Sequence, residues 1–320
     1  MNVHGKEIKI FAANSNPELA RKVSECLGIP LGKSDVGKFS DGECSVSVFE
    51  TVRGSDVFVI QSTSDPVNDN LMELLIMIDA FKRASAGRIT AVLPYYGYAR
   101  QDRKAKGRDP ISAKLVADLI TAAGADRILT MDLHALQIQG FFNIPVDHLE
   151  GMPILANYIE MKYGKGRENT VVMSPDVGSI GRARKFAERL DLPIAIVDKR
   201  RQKANVSEVM NIIGDIDGKD VIIFDDMIDT AGTLCNGAAA IKAKGARTIT
   251  ACATHAVLSG PAIDRIKEAP LDEIILLDTI ALPEEKKLPN MKVLSTAPVF
   301  AEAISRIFSD KSIYSLNNEF

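Results

Sequence analysis

The chain has 320 residues, of which 46% are hydrophobic and 25% charged, and a formal net charge of −3 at pH 7. That length suits roughly two domains, each able to bury its own core, and the composition is that of a soluble globular protein. The slight negative charge excludes a general nucleic-acid binder, although local basic stretches can still hold small polyanions.

The opening residues, MNVHGKEIKI, lack the long apolar segment of a secretory signal, and the longest apolar run, LLIMI, cannot span a bilayer, so a cytoplasmic protein with no membrane partner is expected. Cys26, Cys44, Cys235 and Cys252 are too scattered for a zinc site or a CxxC pair, which points to reduced thiols. The segment GIPLGKS (28–34) imitates a phosphate-binding Walker loop, but it is one residue short and follows a helical pattern instead of a strand. Next comes FSDGE (39–43). It reads as a tight Asp-Gly hairpin turn, and also as an aromatic face with two carboxylate acceptors that could stack on and hydrogen-bond an adenine.

From residue 57 onward, short Val- and Ile-rich runs alternate with helical patterns. VFVI (57–60), ITAVLPYY (89–96), RILTMD (127–132), TVVMS (170–174), IAIVD (194–198), VIIF (221–224) and TITACATH (248–255) are predicted strands. NLMELLIMIDAFKRASA and GTLCNGAAAIKAKGA are predicted helices closed by Gly87 and Gly245. Such alternation implies a mostly parallel sheet covered on both faces. SDVFVIQSTSD with its helix and AGRITAVLPYY echoes KDVIIFDDMID with its helix and GARTITACATH, so one strand-loop-helix-strand unit is used twice. Where the second copy has Asp225 and Asp226, the first has Gln61 and Ser62.

Four stretches carry candidate chemistry. RQDRKAKGR (100–108) packs five cations into nine residues, which is either a solvated surface or a polyanion site. His134 follows the strand RILTMD, where a histidine is either structural or a metal ligand through a neutral imidazole nitrogen. Lys199, Arg200, Arg201 and Lys203 enter a loop between two strands, either to solubilise it or to meet charge built on phosphate oxygens during group transfer. Finally, VIIFDDMIDTAGT (221–233) runs from a buried strand into two acids and then a small, hydroxyl-rich turn that opens a helix. Two ionised carboxylates accept hydrogen bonds and suit a vicinal diol. Thr230 and Thr233 offer hydroxyls, Ala231 and Gly232 let the backbone approach, and amides at a helix N-terminus attract phosphate. Diol at one end and phosphate at the other describes a ribose 5-phosphate.

The run 221–233 resembles the signature of the phosphoribosyltransferase fold. DLHALQIQGFFNIPVD (132–147) resembles the signature of ribose-phosphate diphosphokinases, and the likeness continues through FSDGE, PYYGYARQDRK (94–104), SPDVG (174–178), DKRRQKANVSEVMNIIG (198–214) and LPEEKK (282–287). The chain is thus similar to the bacterial class I type of that family over nearly its whole length. The resemblance implies an α/β fold of two tandem phosphoribosyltransferase-like domains, 1–149 with 303–320 packing back onto it, and 150–302. It implies transfer of a diphosphoryl group from ATP to ribose 5-phosphate. In that reading Lys199 and Arg201 are catalytic, and Phe39, Asp41, Gly42, Glu43, Arg100 and Gln101 bind ATP. Arg201, Asp225, Asp226, Asp229, Thr230, Ala231, Gly232 and Thr233 bind ribose 5-phosphate, while His134 and Asp176 hold Mg2+. Magnesium prefers oxygen and keeps waters, so His134 would act partly by holding ATP phosphates. The family also implies a homo-oligomer, a hexamer in which FSDGE reaches a neighbouring subunit's site, with phosphate as activator and ADP as inhibitor. Two departures stand out: Ser179 replaces a usual glycine, where a less permissive backbone is expected, and 202–204 lacks prolines common in bacterial relatives. The rival readings are a phosphoribosyltransferase, which has no use for FSDGE or RQDRK, and a non-catalytic regulatory homologue, which is expected to lose the loop cations.

Overall fold

A computed structural model describes residues 7–176, 178–200 and 209–316, with the backbone alone at 198–200 and 209–210. The chain divides into two compact units, one comprising Met1–Glu150, Thr279–Ala281 and Ser295–Phe320, the other Gly151–Asp278 and Leu282–Leu294.

In the first unit β1 (Ile8–Ala12) leads into α1 (Pro17–Leu27), then a hairpin of β2 (Ser34–Lys38) and β3 (Cys44–Val48). β4 (Asp56–Ile60), α2 (Val67–Arg83), β5 (Arg88–Leu93), α3 (Ser112–Ala123), β6 (Arg127–Met131) and β7 (Val146–Leu149) follow. The sheet order is β1-β4-β5-β6-β7, parallel throughout. Every residue of β4 and β5 is buried, as expected of strands covered on both faces. Local sequence sets the helix ends: at α1 the Asn16 side chain accepts from the Leu19 amide, Pro17 starts the first turn, and left-handed Gly28 stops the last.

The second unit opens with α4 (Met152–Tyr163), β8 (Thr170–Ser174), α5 (Ile180–Leu190), β9 (Ile194–Arg200) and β10 (Val209–Ile213). It continues through β11 (Asp220–Ile228), α6 (Gly232–Ala243), β12 (Thr248–Ala256), α7 (Ala262–Glu268), β13 (Glu273–Leu277) and β14 (Met291–Leu294). Its order is β10-β9-β8-β11-β12-β13-β14, parallel except for β10 against β9. Thus β8 and β11 to β14 repeat the order of β1 and β4 to β7. The hairpins β2–β3 and β9–β10 sit at corresponding places in the two chains of strands.

The chain then returns to the first unit through α8 (Ala297–Phe308). The expected boundary between 302 and 303 falls inside this helix. Its apolar face is continuous, with Val299, Phe300, Ala303, Ile304 and Ile307 all buried, so α8 belongs to one unit whole. Among the described residues no helix is long and apolar enough to cross a membrane, and no cysteine is in a disulfide.

Candidate functional site

Strand β11 does not stop at Phe224, as the apolar run suggests, but continues through both acids to Ile228. On one side it stays paired with β12, where Asp225 lies opposite Ala253. On the other, pairing with β8 ends at Ile223 opposite Met173. The acids therefore stand beside a gap in the sheet beyond the carboxyl end of β8, which is where open α/β sheets hold ligands.

α5 begins over this gap, seated by Phe186 stacked on Phe224 with centroids 4.2 Å apart. Its leading residues contact both acids. Ser179 Oγ donates to Asp225 Oδ1 at 3.2 Å, and Arg182 Nη1 lies 3.0 Å from Asp226 Oδ1. The Ser179 amide donates to Asp176 Oδ1 at 2.8 Å, so one serine touches two expected site carboxylates. Its φ of −89° and ψ of −2° are ordinary right-handed backbone, which removes the expected conformational penalty for a non-glycine there. Burial pushes the Asp225 carboxyl up to about 7, the Asp226 charge pushes the same way, and Arg182 opposes them.

Beyond β11 the chain turns into α6 at Ala231, whose φ of 57° is left-handed. An L-residue adopts that conformation at a cost of about 1–2 kcal/mol, and here the turn starts a helix with no side-chain cap. The first amides of α6 have no helical carbonyl to meet, which leaves them free to receive an anion. It is held from outside: Arg265 Nη1 donates to Thr230 O at 2.9 Å, and the Ser259 hydroxyl bonds the Asp229 carboxylate. LPEEKK helps from a distance, since Lys286 Nζ donates to Leu258 O at 3.0 Å. Lys199 lies in β9 opposite Met210, next to the start of the hairpin loop. Arg201, Lys203, Val177 and the 202–204 segment lie outside the described residues.

The corresponding positions of the first unit are wired internally. Gln61 is fully buried, its Oε1 accepting from the Ser15 amide and its Nε2 donating to Glu73 Oε2, and the Ser62 hydroxyl donates to Thr279 O. FSDGE forms the β2–β3 turn: the Phe39 amide donates to Glu43 O, Gly42 takes φ 91°, and Asp41 Oδ1 accepts from the Glu43 amide at 3.1 Å. The turn leaves Phe39 60% exposed, a bare aromatic face at a hairpin tip. Arg100 and Gln101 follow the tight YYGY bend, where Gln101 Oε1 accepts from the Ser112 hydroxyl. Asp102 accepts from Gln137 Nε2 at 2.7 Å, which ties this basic loop to the short 3-10 helix Leu136–Phe141 that follows His134.

The structure thus joins Asp176, Ser179, Arg182, Asp225 and Asp226 in the second unit, and the 100–102 and 134–141 segments in the first. Sequence reasoning missed Arg182, Arg265, Ser259 and Asp102. Each acts through a partner distant in sequence, and no spacing marks it.

Among the described residues no three His, Cys, Asp or Glu side chains cluster to hold a metal by themselves. That fits magnesium, which is bound through one or two carboxylates plus substrate phosphates instead of an all-protein cage. The Asp176 carboxylate, on its turn beyond β8, is a donor of the right kind.

Residues 8–124 match the N-terminal domain of ribose phosphate pyrophosphokinase, and residues 201–317 match the phosphoribosyl synthetase-associated domain. The chain is 66% identical over 316 residues to the ribose-phosphate pyrophosphokinase of Clostridium perfringens, covering 99% of each chain. The chain belongs to the ribose-phosphate pyrophosphokinase family. It is therefore an enzyme, a transferase with kinase chemistry. The Bacillus subtilis member is 56% identical over 308 residues, covering 96% of each chain. The crystal structure of phosphoribosylpyrophosphate synthetase from Mycobacterium smegmatis superposes with a TM-score of 0.90 at 45% identity, over 95% of this chain and 100% of that one. Membership of this family confirms the α/β reading, mostly parallel sheets flanked by helices, and sets aside the phosphoribosyltransferase alternative.

Proposed function

We propose that the chain transfers the β,γ-diphosphoryl group of ATP to O1 of ribose 5-phosphate, giving 5-phosphoribosyl 1-diphosphate and AMP, through the residues assigned below. The observation that carries the assignment is the course of β11: two carboxylates beside an open sheet edge, followed within one turn by an anion-binding helix start.

Asp225 and Asp226 accept from the ribose 2- and 3-hydroxyls, and residues 229–233 hold the 5-phosphate on the amides of α6. That seating presents O1 to the β-phosphorus of ATP, whose bond to the α-phosphate oxygen breaks as AMP leaves. Phe39, Asp41, Gly42 and Glu43 receive the adenine, while Arg100 and Gln101 hold the nucleotide. Lys199, in β9, and Arg201 meet charge that builds on the transferred oxygens, the effect that dominates phosphoryl-type transfer. His134 and Asp176 would hold Mg2+, which when bound neutralises phosphate charge. The protein works in the cytoplasm as a homo-oligomer, a hexamer, with phosphate and ADP as effectors.

A coupled assay for AMP formed from ATP and ribose 5-phosphate with Mg2+ tests the reading. AMP production that requires both substrates is the expected result. Consumption of 5-phosphoribosyl 1-diphosphate with a base, or no turnover at all, would overturn it in favour of a transferase or a regulatory homologue.

A further inference from the structure

The second unit contains a cavity of roughly 580 Å3 at the end of its sheet opposite the proposed site. Its floor is the first residues of five parallel strands, Thr170 of β8, Asp220 of β11, Thr248 of β12, Glu273 of β13 and Met291 of β14, the first three side by side in register. At about 3.3 Å per residue, Asp225 is roughly 16 Å further along β11. The wall is the last turn of α4 with Tyr163 and Lys162. We propose that this cavity is a binding site for a small organic phosphate monoester.

Four cations, Lys162, Arg167, Arg247 and Lys292, line it against three carboxylates, Asp220, Asp272 and Glu273, an excess of one positive charge. Asp220 is gripped by two arginines at once: Arg247 through Nε at 2.8 Å and Nη2 at 2.6 Å, and Arg167 through Nη2 at 3.2 Å. One carboxylate neutralises one guanidinium, and each guanidinium has five N–H donors, so charge and donors remain after Asp220 is satisfied. Lys162 is matched by Glu273 at 2.6 Å, whereas exposed Lys292 has no ion pair among the described residues. The wall is also pre-organised. The Tyr163 hydroxyl donates to Glu273 Oε2 at 2.5 Å, and the Lys162 ammonium and Arg167 guanidinium lie 4.9 Å and 5.3 Å from its ring centroid.

Thr170 supplies an independent pointer. It is 2% exposed and lines the cavity, yet its Oγ1 is buried with no hydrogen-bond partner. Buried hydroxyls are almost always paired, and this one, next to the cavity, gains a partner when the side chain turns to meet a ligand there. The volume is that of a small-molecule pocket and far exceeds a bare inorganic ion. A phosphate monoester carries nearly two charges and three strong acceptor oxygens, which suits forked arginines and a lysine with a hydroxyl beneath. A monocarboxylate offers half the charge and two oxygens.

The test uses the full chain and does not depend on the catalytic assignment. Glycerol 3-phosphate, UMP and inorganic phosphate are titrated by equilibrium dialysis and by melting temperature, against the wild type, Thr170→Val and Lys292→Ala. Thr170→Val removes a hydroxyl that has no partner to lose, so the free variant should melt at or above the wild-type temperature. Its affinity for at least one of the two esters should fall two- to ten-fold, roughly the worth of one neutral hydrogen bond. Lys292→Ala should weaken the same ester by about five-fold, an effect that shrinks as salt is added. AMP formation by both variants should equal wild type. The proposal is overturned if neither ester binds, or if ester affinity is the same in all three proteins.

Discussion

In the proposed assignment, three side chains of the second unit divide the work of recognition and rate. If Lys199 acts mainly in the transition state, Lys199→Ala should lower kcat by orders of magnitude while the KM for ATP stays within a few-fold. Equal losses in both would point to ground-state binding. Asp225→Asn turns an acceptor-only carboxylate into an amide and should raise the KM for ribose 5-phosphate far more than that for ATP. The same substitution has a pH signature. Burial and the Asp226 charge push the Asp225 carboxyl up to about 7, well above the ordinary aspartate value. Its contribution to stability is thus fully present below about 4 and is lost as pH rises through about 7. In substrate-free protein Asp225→Asn should raise the melting temperature, by an increment that grows from pH 4 to pH 7 and then levels off. An increment that is flat with pH would show that Asp225 is ionised throughout. Ser179→Gly restores the usual family residue but removes the hydroxyl from Asp225, and the backbone there needs no glycine. A several-fold rise in the KM for ribose 5-phosphate, unaccompanied by a change for ATP, is expected, with Ser179→Thr retaining most of the affinity.

At the scale of elements, what the sequence made legible were the strands buried on both faces, since VFVI, TVVMS and VIIF announce themselves by continuous apolar character. The hairpin β2–β3 and the edge strands β1, β7, β10 and β14 were not predicted, because edge and hairpin strands carry mixed, half-exposed residues whose pattern is weak. β13 is an exception: its IILL run is as apolar and buried as VFVI and VIIF, yet it was not among the predicted strands. The length of β11 was hidden for a different reason. Adjacent acids end a hydrophobic run, yet backbone pairing with β12 continues regardless of what the side chains do. The residue types proposed to hold ribose 5-phosphate at 225–233 stood out in the sequence, because a diol and a phosphate each demand particular groups. The supports of that turn did not, because Arg265 and Ser259 reach it from another helix and loop. One backbone demand is visible only in the structure. A Cβ on Gly97 would stand 2.3 Å from Thr63 O, a main-chain atom that cannot swing aside. Gly97→Ala should therefore destabilise the first unit by roughly 1–3 kcal/mol and raise the KM for ATP through the adjoining Arg100 and Gln101. Chemical unfolding followed by kinetics on the surviving folded fraction would check both.

On the scale of the whole molecule, duplication explains the placing of the two candidate half-sites. Each unit threads the same five-strand order and inserts a hairpin between its first and second core strands. In the first unit the hairpin tip is FSDGE, and in the second it is the loop that Lys199 enters. In the proposed assignment, hairpins at equivalent places in the two units receive the adenine and meet the transition state. A single chain has one of each, and in the shared-site arrangement that the family resemblance implies, the tip of one chain serves a neighbour. Glu43→Ala and Lys199→Ala chains should each be nearly inactive alone. Co-expressed, they form mixed assemblies in which some sites draw an intact FSDGE from one chain and an intact Lys199 from the other. Differently tagged chains purified through both tags guarantee that the assayed material is hybrid. AMP formation well above either single variant is expected from that fraction, and none should appear when the separately purified variants are assayed before subunits exchange. If verified hybrids stay at the level of the single variants, the adenine pocket is completed within one chain, and the hairpin of the first unit serves the Lys199 of its own second unit.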